Sequence, residues 1–264
     1  MEIKPIHKNT AILFIHKYHY SKILPRLTKW YLGYYENDEL VGIITLGWGT
    51  QPLQTIQKIF YKDNMITTDY FEIGKMCFRS DKNGGNFGSQ AIKLLLSWVR
   101  ENTNVKFIYT LADGIMGKCG IVYQAANFKY IGSFKTDVYM DRVTGEKIHP
   151  RSAKQLCKEN AQWAGVDRIF WLTHSFCEYK KIDRIRGLMF RYMYPLSKES
   201  KKILKKYDEY SGLKNPKEAD LIFERRTGLG GYERINKPEF NMNVFNHNYQ
   251  KFDNKVNEFF DFKI

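Results

Sequence analysis

Apolar positions change period several times along the first 140 residues, and each change marks an element. Met1–Lys4 predicts a short strand. Ile12, Leu13, Ile15 and His16 then fall near helical spacing behind Asn9-Thr10, a pair able to cap a helix. Pro25 stops regular structure. Trp30–Tyr35 and Leu40–Trp48 are aromatic and β-branched runs separated by Glu36-Asn37-Asp38-Glu39, which predicts a β-hairpin. Phe71–Phe78 predicts another strand. A polar, glycine-bearing loop follows from Ser80 to Gly88. Apolar residues then recur at Ala91, Ile92, Leu94, Leu95, Leu96, Trp98 and Val99, which predicts a helix ending near Glu101-Asn102. Val105–Leu111 predicts a buried strand, Ile121–Ala126 a short helix, Phe128–Met140 a strand, and Val143-Thr144-Gly145-Glu146 a turn.

The second half is less regular. Ser152–Trp163 has helical spacing with Gly165 as its stop. Ile169–Thr173 and Gly187–Leu196 predict strands, and Lys198–Tyr207 a basic helix. Beyond it glycine, asparagine and proline recur with little periodicity, and phenylalanines scatter from Phe240 to Ile264, as in an arm wrapped on a main body. No internal repeat is visible. Helices alternating with strands predict an α/β (α+β) chain: a mixed central sheet flanked by helices over 1–175, then a basic strand–helix extension and arm over 176–264.

Composition narrows the class. Hydrophobic residues at 43% and aromatics at 16% can fill a core, which excludes a disordered chain. Forty-two Lys and Arg against 28 Asp and Glu give a formal charge of +14, so a polyanion, nucleic acid first of all, is the expected partner. Ten basic residues lie between Lys180 and Lys206 (Lys180, Lys181, Arg184, Arg186, Arg191, Lys198, Lys201, Lys202, Lys205 and Lys206) against Asp183 and Glu199. This is the footprint of phosphate contacts or, on the blander reading, a solvated helix face. Cys77, Cys119, Cys157 and Cys177 form no C-x-x-C pair and fit no zinc spacing, so reduced thiols in a cytoplasmic protein are expected. No apolar run resembles a signal peptide or spans a membrane.

The strand, glycine loop and amphipathic helix together suggest an anion site. The first amides of a helix are unsatisfied and carry partial positive charge, and Gly88-Ser89-Gln90, with Gly85 ahead of them, would supply such amides. A tight turn is the alternative reading. Arg79 ends the strand before the loop and Asp113 the strand after it, where ligands of open α/β sheets bind; Asp113 can equally be a helix cap. His19-Tyr20-Ser21 precedes an aromatic strand, and His beside Tyr can move a proton or serve structure alone. His and Tyr could also ligate iron, but no full ligand set is visible, so no metal is assigned. Tyr18, Tyr20, Trp30 and Trp48 are candidates to stack a base, with Trp30 and Trp48 individually more at home in a core.

The order Phe71–Arg79, Asn83-Gly84-Gly85-Asn86-Phe87-Gly88-Ser89, helix, Lys106–Leu111 and then Val122-Tyr123-Gln124-Ala125-Ala126-Asn127-Phe128-Lys129-Tyr130-Ile131-Gly132 resembles the GNAT acyltransferase-like family. That resemblance implies a loop receiving the pyrophosphate of an acyl-CoA and a tyrosine facing the reacting group. His19-Tyr20-Ser21, Arg79, Asp113-Gly114, Tyr123 and His149-Pro150-Arg151-Ser152, in this order from Phe14 to Trp171, further resemble the Mom family of phage DNA-modification proteins. This implies transfer of a carbamoylmethyl or related group to the N6 amine of adenine in DNA, as protection against restriction. The reactive centre would be His19, Tyr20, Asp113 and Tyr123, with Asp113 accepting a proton and Tyr123 donating one. Ser21, Arg79, Arg151, Lys180, Lys181, Arg184 and Arg186 are the expected DNA contacts. The expected donor is an acyl-CoA, or an aminoacyl-tRNA given the basic charge. An acetyltransferase acting on a small amine or protein, and a non-catalytic DNA-binding protein on the same scaffold, are the other readings.

Overall fold

The hairpin centred on Asn37-Asp38 forms as expected. Both residues take the left-handed conformation (φ 48° and 64°) that matches a two-residue turn to the twist of its strands. The computed structural model describes residues 1–82, 86–150, 153–228, 230–246 and 249. In chain order the elements are β1 (Glu2–Pro5), α1 (Lys8–Tyr18), β2 (Leu27–Glu36), β3 (Glu39–Trp48), α2 (Pro52–Ile59), β4 (Tyr70–Phe78), α3 (Phe87–Asn102), β5 (Phe107–Asp113) and α4 (Ile121–Ala125). There follow β6 (Lys129–Asp141), β7 (Lys147–Ile148), α5 (Lys154–Ala164), α6 (His174–Lys180), β8 (Ile182–Pro195), α7 (Lys198–Lys205), α8 (Asp208–Ser211), β9 (Phe223–Arg226) and β10 (Tyr232–Arg234). The chain is thus mixed α/β, with the strand, helix, strand and helix-to-strand order expected of a GNAT-like domain.

The chain forms two compact units, each assembled from separate segments. One contains Met1–Ala112, Lys118–Ser133 and Phe190–Lys217; the other contains Asp113–Gly117, Phe134–Met189 and Glu218–Ile264. A single cut between 175 and 176 therefore does not separate them.

In the first unit the strand order is β1-β2-β3-β4-β5, followed by the end of β8 and the start of β6. Strands β1 to β4 are antiparallel neighbours, whereas β4 and β5 run parallel across the α3 crossover. Helix α3 buries Ala91, Ile92, Leu95, Leu96, Trp98 and Val99, the i, i+3, i+4 stripe visible in the sequence. Trp98 meets Trp30 edge-on at 5.2 Å, and the fully buried Tyr34 donates its phenol to the Ala91 carbonyl at 2.8 Å. A second core, around Ile56, Ile59, Phe60, Tyr70, Phe107, Tyr109, Leu204 and Tyr207, joins α2 and α7. Trp48 belongs with it and donates its indole N–H to the carbonyls of Thr67 (2.9 Å) and Tyr70 (3.0 Å). Trp30 and Trp48 are both half-buried, Trp30 packed on the buried Trp98 and Trp48 against the second core.

In the second unit the end of β6 pairs with β7, the start of β8 pairs with β9, and β9 pairs with β10. Its core gathers Tyr139, Ile148, Leu156, Leu172, Phe176 and Ile182. Asp137, 7% exposed, receives both Arg184 (Nε at 2.9 Å) and Arg186 (Nε at 2.7 Å). The guanidiniums lie over Trp171 (4.3 Å) and Tyr232 (3.6 Å) respectively.

Four expectations change. The cap of α1 is His7, whose ring accepts the Asn9 N–H at 3.3 Å, and not Asn9 or Thr10. Ile169–Thr173 is not a strand, because side chains take its amides: Leu172 donates to the Tyr139 phenol at 2.9 Å and Thr173 to Asn160 Oδ1 at 2.7 Å. Strand β8 starts at Ile182 and not Gly187; its charged alternate residues, facing Asp137, hid the strand pattern. The tail contains the β9–β10 hairpin, too short and too charged to show alternation.

Burial works against the charge on Asp137, but Arg186 and Arg184 outweigh it and hold the carboxyl below its ordinary value. A depressed folded value stabilises the protein above the unfolded value and is lost as pH falls through the folded one. Asp137→Asn should therefore cost about 3–5 kcal/mol at neutral pH, since it strands two half-buried guanidiniums. In urea titrations the gap between wild type and variant should narrow as pH drops below about 4.

Candidate functional site

Strand β4 carries an extra residue. Thr45 of β3 faces Lys75, but the next residue, Leu46, faces Ile73, so Gly74 is bulged out. The Lys75 N–H, turned away from its ladder carbonyl, is taken by the Thr45 hydroxyl at 2.9 Å. Pairing with β5 stops at this point. Tyr70–Ile73 match Phe107–Thr110 in register, while β4 continues to Phe78. The parallel pair thus opens after Ile73, leaving Gly74–Phe78 without a ladder partner on the β5 side among the described residues.

Helix α3 starts at the open end. Phe87, its first residue, meets Phe78, the last of β4, edge-on at 4.9 Å. Asn86 caps the helix without a side-chain hydrogen bond, and the first intrahelical bond is Gln90 N–H to Asn86 O at 3.0 Å. The amides of Phe87, Gly88 and Ser89 therefore precede the ladder, and that of Gln90 closes it. The Ser89 hydroxyl donates to the Asn86 carbonyl at 2.9 Å. Gly88 serves packing as well, since a Cβ there would stand 2.7 Å from Val122 Cγ2 of α4. Gly85 lies outside the described residues.

The His19-Tyr20-Ser21 turn is tied to the same strand. Lys75, just past the bulge, donates to Ser21 Oγ at 2.8 Å, and Lys118 lies 4.1 Å over the Tyr20 ring. Both amines also act on Cys77, where burial pushes the thiol up to about 12 against their pull. His19 is 8% exposed and stacks on Tyr20 at 4.4 Å. Its Nδ1 faces the Ser21 N–H at 2.8 Å and the Ser21 carbonyl at 3.0 Å. The ring can therefore accept from the first or donate to the second, and either tautomer is satisfied.

Tyr123 is buried on α4, 5.6 Å from Phe128 and 5.7 Å from Tyr192 between ring centroids, and burial holds its phenol above the ordinary value. Gly120 starts this helix at φ 88°, and a Cβ there would sit 2.4 Å from the Tyr192 ring. The Tyr192 phenol donates to the Cys119 carbonyl and accepts from Gln124 Nε2 at 2.9 Å; Gln124 also donates to the Pro216 carbonyl at 3.0 Å.

The remaining candidates are held by protein partners. Asp113 caps the turn after β5, accepting the Ile115 N–H at 3.2 Å, and its other oxygen meets Lys147 Nζ at 2.9 Å. Of the two readings of Asp113, cleft residue or cap, the cap is seen here; the lysine was not foreseen. Arg79 makes a two-pronged pair with Asp81 (3.0 and 2.9 Å) and a third bond to Glu39 at 2.8 Å. Lys180 pairs with Glu159 at 2.8 Å, Lys181 closes α6 in the left-handed conformation, and Arg184 and Arg186 hold Asp137. Arg151 lies outside the described residues. Among those described, no cluster of three His, Cys, Asp or Glu could hold a metal, and no helix is long and apolar enough to cross a membrane. Lys75 and Lys118 escaped the sequence reading, because isolated lysines carry no spacing signal. A glycine inside an otherwise largely apolar strand was the available sign of the bulge.

The β4–β5 parallel pair thus separates midway, and α3 bridges it and begins beside the gap. The sequence profile of the Mom protein family matches residues 1–214, and the chain belongs to that family. The methylcarbamoylase mom of Escherichia phage Mu is 26% identical over 167 residues, covering 62% of this chain and 67% of that protein. Solved acetyltransferases are loosely similar. One is an N-acetyltransferase from Staphylococcus aureus Mu50, at 12% identity and TM-score 0.34, covering 64% of this chain and 68% of that one. Another is an aminoglycoside 6'-acetyltransferase type Ii, at 11% identity and TM-score 0.39, covering 75% and 98%.

Gly120→Ala should lower stability by about 2 kcal/mol or more, from the left-handed backbone and the contact with Tyr192 together. Adding Tyr192→Leu should relieve the contact and leave the backbone part, so a double-mutant cycle by chemical denaturation should give a favourable coupling.

Proposed function

We propose that this chain transfers a carbamoylmethyl or closely related group to the N6 amine of adenine in DNA, protecting phage DNA from restriction. The observation that carries the reading is the His19-Tyr20-Ser21 turn, fixed by Lys75 and Lys118 at the open end of the β4–β5 pair in a member of the Mom family. The adenine amine is a weak nucleophile, because its lone pair is drawn into the ring, and it lies inside the duplex. The base has to leave the stack and lose a proton as the new bond forms.

His19 suits the proton acceptor. When Nδ1 donates to the Ser21 carbonyl, Nε2 is the basic nitrogen of the ring, and the fixed turn keeps the ring from swinging. Tyr20, stacked on His19 and covered by Lys118, holds the imidazole in place. Tyr123 suits the donor of a proton to the leaving group, since burial keeps its phenol protonated at neutral pH. The amides of Phe87, Gly88 and Ser89 suit the anionic portion of the donor, for which an acyl-CoA is the first choice and an aminoacyl-tRNA the second. A bound acyl donor would supply its carbonyl carbon and give an N6-acyl adenine, with the thiol or tRNA hydroxyl leaving; a carbamoylmethyl product requires a donor whose methylene carbon is the electrophile and whose leaving group takes the proton. Asp113 enters as the residue that shapes the turn after β5.

Nucleosides from DNA of cells expressing the chain should contain a modified deoxyadenosine by mass spectrometry. His19→Ala and Tyr123→Phe should each reduce it by about 10²–10⁴-fold while leaving DNA affinity near wild type. With Tyr123 as the acid, the rate should show no alkaline fall below about pH 10. Only ordinary deoxyadenosine beside well-folded wild-type protein would end this reading. The first amides of α3 also suit an acetyltransferase of free amines; acetyl-CoA turnover on a small amine, indifferent to DNA, would put that in its place.

A further inference from the structure

Two of the arginines read as phosphate contacts, Arg184 and Arg186, point at Asp137, and Lys180 is paired with Glu159. The unspent charge lies elsewhere. On α7, Ser200, Ile203 and Leu204 face the core, while Lys198, Lys201, Lys202 and Lys205 are exposed. Their i, i+3, i+4, i+7 spacing puts all four on one face of the helix. Lys58 of α2 and Lys62 just beyond it are exposed on the neighbouring element.

The α2–α7 junction is fixed by a neutralised carboxylate. Asp63 accepts from Lys206 Nζ and from the Tyr207 phenol, both at 2.8 Å, and Lys62 Nζ donates to the Lys206 carbonyl at 3.1 Å. Tyr61, 61% exposed, stands edge-on to Tyr207 at 5.4 Å. Lys58, Lys198, Lys201, Lys202 and Lys205 make no ion pair among the described residues. The acidic groups nearby are Glu199 in the first turn of α7, and Asp208 and Glu209 in α8.

We infer that this lysine face of α7, continued by Lys58, Lys62 and Tyr61, is where the phosphate backbone of duplex DNA docks. The inference rests on the reading of DNA as substrate and adds the surface that receives it. Charge complementarity argues for it. Four lysines along about 10 Å of helix match about three phosphates of one strand. Flexible point charges without base-reading partners give sequence-tolerant, salt-sensitive grip. The buried face of α7 makes the helix a rigid support.

The test compares the full chain carrying Lys201→Gln and Lys202→Gln with one carrying Lys154→Gln and Lys158→Gln, which removes the same charge from exposed positions of α5. Binding of a labelled duplex is measured by fluorescence anisotropy from about 50 to 200 mM salt. The α7 pair should lower the slope of log affinity against log salt by about 1.8, at roughly 0.9 per lost contact, and weaken binding by about an order of magnitude. The α5 pair should change neither. Lys201→Glu with Lys202→Glu should exaggerate the α7 effect, and circular dichroism monitors the fold of each. An unchanged slope in both α7 variants overturns the docking surface, as does a loss of binding to transfer RNA with duplex binding intact. Nucleoside mass spectrometry at saturating DNA separates the two readings. A modified product with no α7 effect leaves the chemistry and removes the surface. An α7 effect with no product in wild type keeps the surface and removes the chemistry.

Discussion

One hydrogen bond governs the geometry of the first unit: the Lys75 amide on the Thr45 hydroxyl, at 2.9 Å. Inserting Gly74 turns an amide out of the ladder, and a buried amide without a partner would cost about 1–3 kcal/mol. The threonine, itself fully buried, supplies that partner from the neighbouring strand and makes the bulge tolerable. With the bulge in place β4 leaves β5, α3 begins beside the gap, and Lys75 faces the His19-Tyr20-Ser21 turn. A valine at 45 would read almost the same in a β-propensity scale, yet it lacks the hydroxyl that closes the ladder here.

The charge of +14 divides into two populations with different physics. Arginines are drawn inward, where a planar guanidinium can grip a carboxylate and lie on an aromatic ring: Arg184 and Arg186 on Asp137, Trp171 and Tyr232. Lysines of α7 stay in water, their ammonium groups well hydrated and their helix anchored by Leu204 and Ile203. A net charge alone does not distinguish these uses.

Much of the fold was legible because its elements are long and strongly patterned. The β2–β3 hairpin, α3 and the order from β4 to β6 follow from period and turn chemistry. The failures have local causes. Side chains of Tyr139 and Asn160 capture the amides of Leu172 and Thr173, and no pattern of apolar residues announces that. Helix α2 has eight residues and only Ile56 and Ile59 buried, too few to establish a period. At the site, His19, Tyr20 and Ser21 were readable as a motif, but their partners Lys75 and Lys118 stand 54 to 98 positions away in sequence. Asp113 was readable as a cap and not as a partner of Lys147, for the same reason of distance.

Strands β6 and β8 each contribute to both compact units, and β5 has no neighbour on its far edge until β8, which ends at Pro195, is made. During synthesis the chain must hold β5, with Phe107, Ile108 and Tyr109 buried in the finished protein, as an open sheet edge for more than eighty residues of further growth. An apolar edge waiting that long is a template for pairing between nascent chains. Slow elongation or high expression should therefore favour aggregates of the unfinished chain over any failure of the finished one.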